Sequence, residues 1–277
     1  MTRFTKKITS SPANTSHTDM AIVILSAGIG NRIKSYEPRS LLKLGNQTLI
    51  DHQISVINNS FHFPEIIGVF GYLVDKIAKK IRGKIRIIEN QIYENTNTSE
   101  SLRLAFNSTT KDSLLFFHGD LYFNIDTLEG LDYSKSFLVV DNKQQMHDKE
   151  VGITICDHKA TILSYGLPTK WCQIAYITGK EFRILKHIFQ KFDIDQKKLL
   201  VFEVINHIIT MGGQFYCYEP HNMSILEIDC IKDINYENFN QYRRTTCTLL
   251  PKDGMGCCIL TIRTSGICVG LQKCHSV

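Results

Sequence analysis

Residues 21–25 read AIVIL, five apolar residues in succession, and a loop with glycines at 28 and 30 follows at once. A run that is apolar on both of its alternating faces suits a strand covered on both sides, as in a parallel sheet. The same pattern then repeats. LIDHQISVINN (49–59) has helical spacing, EIIGVFGY (65–72) reads as a second strand, and VDKIAKKIRG (74–83) as a second helix. Gly83 stands where helices favour stopping. KIRIIEN (84–90) is a third strand, and SESLRLAFNS (99–108) a third helix with Ser99 as its N-cap. SLLFFHGD (113–120) is a fourth strand, apolar until its carboxyl end. This alternation predicts an α/β fold: a Rossmann-like, doubly wound sheet, mixed but mostly parallel, flanked by helices.

The second half changes character. FLVVD (137–141), VGITICD (151–157), TILSYG (161–166), QIAYITG (173–179), QFYCYEP (214–220) and ILEID (225–229) read as shorter strands. KEFRILKHIFQKF (180–192) and LLVFEVINHIITMGG (199–213) read as helices. A mixed α+β half able to wrap a second substrate is expected after the parallel half.

Composition sets the outer limits. Residues 1–19 are Ser/Thr-rich without apolar periodicity and read as a flexible arm; residues 20–244 read as the folded domain. The net charge is +5, yet its excess sits at the ends. Arg3, Lys6 and Lys7 face only Asp19 in the arm, and Lys252, Arg263 and Lys273 face only Asp253 in residues 245–277. A nearly neutral body argues against nucleic-acid binding. No apolar stretch of about 18 residues is present to span a membrane as a helix. Nine cysteines, an odd number, argue against a disulfide framework and for a cytoplasmic protein. Five of them crowd 245–277, a segment rich in Thr and Gly and free of aromatic residues, which yields no structure by pattern. A zinc module there lacks a CxxC pair, and a shifted reading frame near residue 245 accounts better for the abrupt change in composition.

The chemistry-bearing segment is LSAGIGNRIKSYEPRSLLKLG (25–45). Glycines at the carboxyl end of a first parallel strand let backbone N–H groups approach a phosphate, and nearby cations balance its charge. It is not a Walker A loop, since no Gly-Lys-Ser/Thr follows, and Ile33 stands where the dinucleotide fingerprint needs its third glycine. The segment resembles the signature of the nucleotidyltransferase superfamily, which includes nucleoside-diphosphate-sugar pyrophosphorylases and MobA-like NTP transferases. That signature runs Leu-Ala-Ala-Gly-x-Gly-x-Arg, then Pro-Lys, then Leu and Gly. Leu25, Ala27, Gly28, Gly30, Arg32, Pro38, Leu41 and Gly45 match, Ser26 replaces an Ala, and Arg39 replaces the usual Lys.

The resemblance implies a reaction in which an acceptor phosphate oxygen attacks the α-phosphorus of an NTP (CTP, or UTP or dTTP) and pyrophosphate leaves. It implies Arg32, Arg39 and Lys43 as catalytic cations, with Leu25, Ala27, Gly28, Gly30 and Asn31 around the nucleotide. It also implies Mg²⁺ on Asp120, which ends the HGD of the fourth strand, and on Asp229 of LEIDCIKD (226–233), with Glu227 and Asp233 left structural. ENQIYENTNTSESLRLA (89–105) is similar to the base-pocket stretch of the phosphocholine cytidylyltransferase-like branch. There Asn90, Asn97 and Ser101 stand either near the base or as turn and N-cap residues. Glu203 of FEVINHII would face the acceptor in that branch, or be a solvated helix residue. A choline-like acceptor would want the aromatic faces of Trp171, Tyr176 and Tyr122, which as single aromatics are equally suited to the core. A sugar 1-phosphate would want hydrogen-bonding groups instead.

Two rivals remain on the sequence. A nucleotide-sugar glycosyltransferase would carry a paired Asp-x-Asp, which HGDLYF lacks. A non-catalytic nucleotide-binding domain would fit the Arg39 departure. A homodimer is left open.

Overall fold

The computed structural model describes residues 19–29, 37–143 and 149–228, with the backbone of two short strands at 263–264 and 267–268. In chain order the elements are β1 (Ala21–Ser26), β2 (Lys43–Leu44), β3 (Gln47–Thr48), α1 (Leu49–Ser60), β4 (Glu65–Phe70), α2 (Val74–Ile81), β5 (Arg86–Glu89) and α3 (Thr98–Ser108). Then come β6 (Leu114–His118), β7 (Leu121–Phe123), β8 (Phe137–Asp141), β9 (Val151–Cys156), β10 (Lys159–Tyr165), β11 (Thr169–Ile177), α4 (Gly179–Gln190), α5 (Val201–Thr210), β12 (Tyr216–Tyr218) and β13 (Ile225–Glu227). The strands β14 (Arg263–Thr264) and β15 (Ile267–Cys268) pair antiparallel, in a segment where pattern had yielded no structure.

One sheet dominates, in the order β5-β4-β1-β6-β11-β8-β12-β10-β9. Its first four strands run parallel, as the strand–helix alternation predicts. The second half continues the same sheet, mostly through antiparallel pairings of β11 with β6, β8 and β9 and of β10 with β9 and β12. So the mixed half does not form a separate layer; it extends the parallel one edge to edge.

The five-residue apolar run is explained by what lies on each side. Ala21, Val23 and Leu25 face a core completed by Leu102 of α3, Leu185 of α4 and Ile205 of α5. Ile22 and Ile24 face a second core with Ile54 and Ile57 of α1 and Ile77 of α2. Each such side chain contributes roughly 1.5–3 kcal/mol by leaving water, so a polar residue at either parity would weaken the fold. Gly83 adopts φ 76° just after α2, the left-handed turn expected there.

The predicted Ser99 N-cap is displaced by two residues. Asn97 caps α3, its Oδ1 accepting from the Thr98 N–H at 2.9 Å. Ser99 is instead wholly buried and its hydroxyl donates to the Gln196 carbonyl at 2.9 Å. A donor–acceptor pairing across α3 and the chain before α5 thus overrode the local capping preference.

α1 is capped by Thr48, whose Oγ1 accepts from the Asp51 N–H at 3.3 Å. One turn on, His52 stacks on Tyr122 with ring centroids 4.1 Å apart. Its Nε2 donates to the Phe123 carbonyl at 2.8 Å, and its Nδ1 accepts from Gln47 Nε2 at 3.1 Å. This pattern fits a neutral ring only, since a proton on Nδ1 would meet an amide N–H. Burial accordingly pushes His52 below its ordinary 6.5, outweighing the Phe123 hydrogen bond. Below pH 6.5 the unfolded chain takes up a proton here before the folded one does. The stability His52 contributes is therefore present above pH 6.5 and lost as pH falls. Thermal melts should show the midpoint dropping below that pH, with a shallower slope in His52→Gln; an equal slope would remove His52 from the account.

Candidate functional site

The site begins where β1 and β6 end side by side. The Gly119 N–H donates to the Leu25 carbonyl at 2.8 Å, and the Tyr72 N–H to the Ala27 carbonyl at 3.0 Å. Gly119 approaches so closely that a Cβ on it would lie 2.4 Å from the Ser26 Cβ. This contact sets down the next residue, Asp120, at the carboxyl edge of the sheet, where open α/β folds bind ligands. From the other side Gln53 of α1, fully buried, donates through Nε2 to the Leu121 carbonyl at 2.8 Å and the His118 carbonyl at 3.4 Å. The Ile228 N–H, just past β13, donates to the Asp120 carbonyl at 2.9 Å. Asp120 is thus held by three elements distant in sequence.

Its side chain is 17% exposed and meets Arg39 Nη1 through Oδ2 at 2.7 Å. Arg39 is brought there by Pro38, whose φ of −59° leads into a single 3-10 turn over Arg39–Leu41. The other carboxylate oxygen of Asp120, Oδ1, is buried with no hydrogen-bond partner. A buried acceptor of that kind is a position for a cation or donor that completes it.

A cavity of about 420 Å³ opens above this pair. It is lined by Leu25, Ala27 and Gly28 from the end of β1, by Asn90, Tyr93 and Asn97 from the chain between β5 and α3, and by Ser101 of α3. His118, Gln173 and Glu227, from β6, β11 and β13, line it too. Arg39 and Asp120 line it as well.

The residues expected from the sequence are distributed as follows. Leu25, Ala27, Gly28, Arg39, Asn90, Asn97, Ser101 and Asp120 all line this one cavity. Asn90 and Asn97 also serve structural ends. Asn90 Nδ2 donates to the hydroxyls of Thr96 and Ser101, at 3.1 and 3.4 Å, while its Oδ1 accepts from the Ile92 N–H. Lys43 is exposed on β2 and does not line the cavity. The aromatic candidates are core residues. Trp171 is 2% exposed and its indole N–H donates to the Ile174 carbonyl at 3.2 Å. Tyr176 packs against Tyr133 and Phe137, and Tyr122 against His52. Glu203 closes the first turn of α5, its Oε2 accepting from the Leu200 N–H at 2.7 Å, and it does not line this cavity. Gly30, Asn31, Arg32, Asp229 and Asp233, and the side chains of 245–277, lie outside the described residues.

Among the lining residues that sequence reasoning missed are Tyr93, Glu227, Gln173 and His118. Tyr93 is seated by Gly71, where a Cβ would come within 2.6 Å of the ring. Glu227, read as structural, lines the cavity. Gln173 sits in a bulge of β11, where the register with β8 slips between Trp171 and Ala175, at φ 57°. Its Nε2 donates to Glu227 Oε2 at 2.7 Å. His118 is pushed below its ordinary 6.5 by desolvation first; the Asp120 charge and a Gln173 hydrogen bond act upward, and the Arg39 charge acts downward. Its Nε2 is buried with no hydrogen-bond partner. The one available signal was the HGD sequence itself, which placed His118 beside Asp120.

Among the described residues no group of three or more His, Cys, Asp or Glu is arranged to hold a metal, and no helix is long and apolar enough to cross a membrane.

Residues 22–132 match the family model of the MobA-like NTP transferase domain. This bears out the resemblance to the nucleotidyltransferase superfamily over that segment. The bifunctional protein GlmU of Francisella tularensis is 27% identical over 114 residues, 40% of this chain. The match covers 24% of GlmU, so the chain spans about a quarter of the length of the curated relatives it matches. Among solved structures, the CTP:phosphocholine cytidylyltransferase LicC of Streptococcus pneumoniae superposes with TM-score 0.61 at 19% identity, covering 80% of this chain and 98% of that one. The inositol-1-phosphate CTP transferase of T. maritima gives TM-score 0.65 at 16% identity, covering 81% and 95%. The fold is that of these nucleotidyltransferases.

The two glycines at the strand ends should respond differently to an added methyl group. Gly119→Ala forces Ser26 aside and should cost about 1–3 kcal/mol by overpacking. Gly28 has no atom within 4 Å of an added Cβ, so Gly28→Ala should stay within about 0.5 kcal/mol of the parent. Denaturant unfolding of both variants tests the contrast.

Proposed function

We propose that this chain transfers a nucleoside monophosphate from an NTP to a phosphorylated small-molecule acceptor, releasing pyrophosphate. The observation that carries the reading is the convergence of the glycine turn after β1, Arg39 and Asp120 on one cavity at the carboxyl edge of the parallel strands. The match of residues 22–132 to NTP transferase domains supports it.

The chemistry asks little of a nucleophilic side chain. The acceptor phosphate is already anionic, so no general base is needed. The demands are to bring two anions together and to stabilise charge gathering on the α-phosphate. The backbone at Ala27 and Gly28 offers close approach to phosphate oxygens, and the planar guanidinium of Arg39 offers a bidentate donor to them. Asn90, Asn97 and Ser101 line the same cavity, and in this reading they border the base and ribose.

Mg²⁺ fits the residues present. Asp120 offers one buried oxygen without a partner, and this ion is commonly held by one or two carboxylates plus substrate phosphates and water. Asp229 follows Ile228, whose N–H already bonds the Asp120 carbonyl, and is the second ligand in this reading. Bound there, the ion would neutralise charge on the triphosphate. Arg39 Nη1 holds the other Asp120 oxygen at 2.7 Å and leaves this one to the ion.

The Arg39–Asp120 pair also gives the second reading, a domain that holds nucleotide without turning it over, its substance in the occupied carboxylate. Pyrophosphate release separates the two. CTP, UTP, dTTP and ATP, each with Mg²⁺, are assayed against phosphocholine and a panel of sugar and polyol phosphates. The expected result is release with one NTP–acceptor pair, abolished by chelation and lowered at least about 100-fold in Asp120→Asn. NTP binding with no release from any pair would leave the binding domain as the function.

A further inference from the structure

We propose that Gln53 is a positioning residue for the site: its buried amide sets the turn that carries Asp120, and through that turn the affinity of Asp120 for a divalent cation. This deepens the nucleotidyltransferase reading and rests on it for the role of the cation.

Gln53 stands where its helix calls for an apolar side chain. Positions 50, 53, 54 and 57 of α1 form one stripe at helical spacing, and the other three are Ile. Ile50, Ile54 and Ile57 pack into the core that Ile22 and Ile24 of β1 share. Gln53 completes the stripe and is fully buried among them. A Leu or Met there would bury apolar surface with no polar group to satisfy. A side chain that breaks the pattern of its own helix in this way marks a place where a local rule yields to function.

The hydrogen bonds show what the amide does. Its Nε2 donates to the Leu121 carbonyl at 2.8 Å and to the His118 carbonyl at 3.4 Å. Those two carbonyls bracket Gly119 and Asp120, so a single nitrogen ties both ends of the turn. The amide gains nothing in return, since its Oε1 is buried with no hydrogen-bond partner. A buried acceptor left unpaired is destabilising, so neither packing nor a complete polar network explains the residue. The two N–H groups are what this position uses. The neighbouring His52 extends the clasp, its Nε2 donating to the Phe123 carbonyl at 2.8 Å.

The consequence falls on Asp120. Arg39 holds its Oδ2, and its Oδ1 is buried and open. A cation binds that oxygen best when the carboxylate is already in place, because a carboxylate that must first be ordered loses binding free energy to the ordering. Groups that orient a metal ligand typically change metal affinity or activity by about 10–100-fold. Without the amide the turn loosens, while Ala27 and Gly28 at the end of β1 keep their own support.

The test titrates Mn²⁺, a paramagnetic probe of the Mg²⁺ position, into the full chain with CTP, UTP, dTTP or ATP and reads free ion by electron paramagnetic resonance. Gln53→Met, of similar length and without a donor, should raise the Mn²⁺ dissociation constant by about 10-fold or more. Ile57→Ala, one turn on in the same helix, loosens the core without reaching the turn and should keep the Mn²⁺ affinity of the parent. Gln53→Glu has the same shape and at most one hydrogen to donate; it should fall between parent and Gln53→Met, and it decides the matter if the Met variant does not fold. In turnover, Gln53→Met should lose kcat at low Mg²⁺ and recover part of it at high Mg²⁺. Equal Mn²⁺ affinity in the parent and both Gln53 variants, or equal weakening in Gln53→Met and Ile57→Ala, overturns this inference and leaves the nucleotidyltransferase reading standing. A parent chain that binds no Mn²⁺ with any of these nucleotides overturns it too. Weakened Mn²⁺ binding in the Gln53 variants, with no pyrophosphate from any acceptor in the parent, overturns the nucleotidyltransferase reading and leaves Gln53 as the residue that places the ion.

Discussion

Two strand ends that touch without room for a methyl group between them govern the geometry of the site. Gly119 lies against Ser26, and its N–H closes onto the Leu25 carbonyl. Because β1 and β6 are neighbours in the parallel block, their carboxyl ends reach the same edge, and the close approach fixes where Asp120 emerges. The buried Gln53 then ties the two carbonyls that flank this turn to α1. A carboxylate positioned by backbone on two sides and by a buried amide on a third has little freedom left. Such support from neighbouring elements is what holds a site to one geometry.

The electrostatics follow from that position. Asp120 and Arg39 are both largely removed from water, so each would be costly alone. The guanidinium takes one oxygen and leaves the other buried and open. A lysine would supply a point charge at this place, whereas arginine supplies a flat fork that can hold the carboxylate and still present N–H groups elsewhere. The substitution that looked like a departure from the superfamily signature is thus accommodated by an ion pair with the carboxylate of the same site. His118, one residue before Gly119, is held below its ordinary 6.5 by desolvation, which with the Arg39 charge outweighs the upward pull of Asp120 and Gln173.

The strands and helices were legible because burial on two faces writes itself as an unbroken apolar run, and burial on one helical face writes itself as spacing. The glycine turn and Asp120 were legible because their chemistry is carried by residue type at a fixed offset. Other parts were not. Trp171 and Tyr176 carry the right chemistry for a cation, but only the packing reveals that β11 turns them inward. Glu203 has the composition of a functional acid and the position of a helix cap. Gln173 is invisible to pattern, since a bulge breaks the period by which strand residues are assigned to faces. Asn97 and Ser99 are both good caps by type, and the choice between them was made by a contact with Gln196, 97 residues away.

The short pairing of β7 with β13 carries a kinetic meaning. It joins segments 100 residues apart, as the hydrogen bond from the Ser224 N–H to Asn124 Oδ1 illustrates. Closing so long a loop is entropically unfavourable until the strands between have found their places. The parallel block can gather its glycine turn from nearer neighbours, but the Ile228 clasp on Asp120 waits for the far end of the domain to return. The carboxylate of the site therefore acquires its full support late in folding, and a chain arrested midway would possess the glycine turn after β1 without the fixed acid beside it.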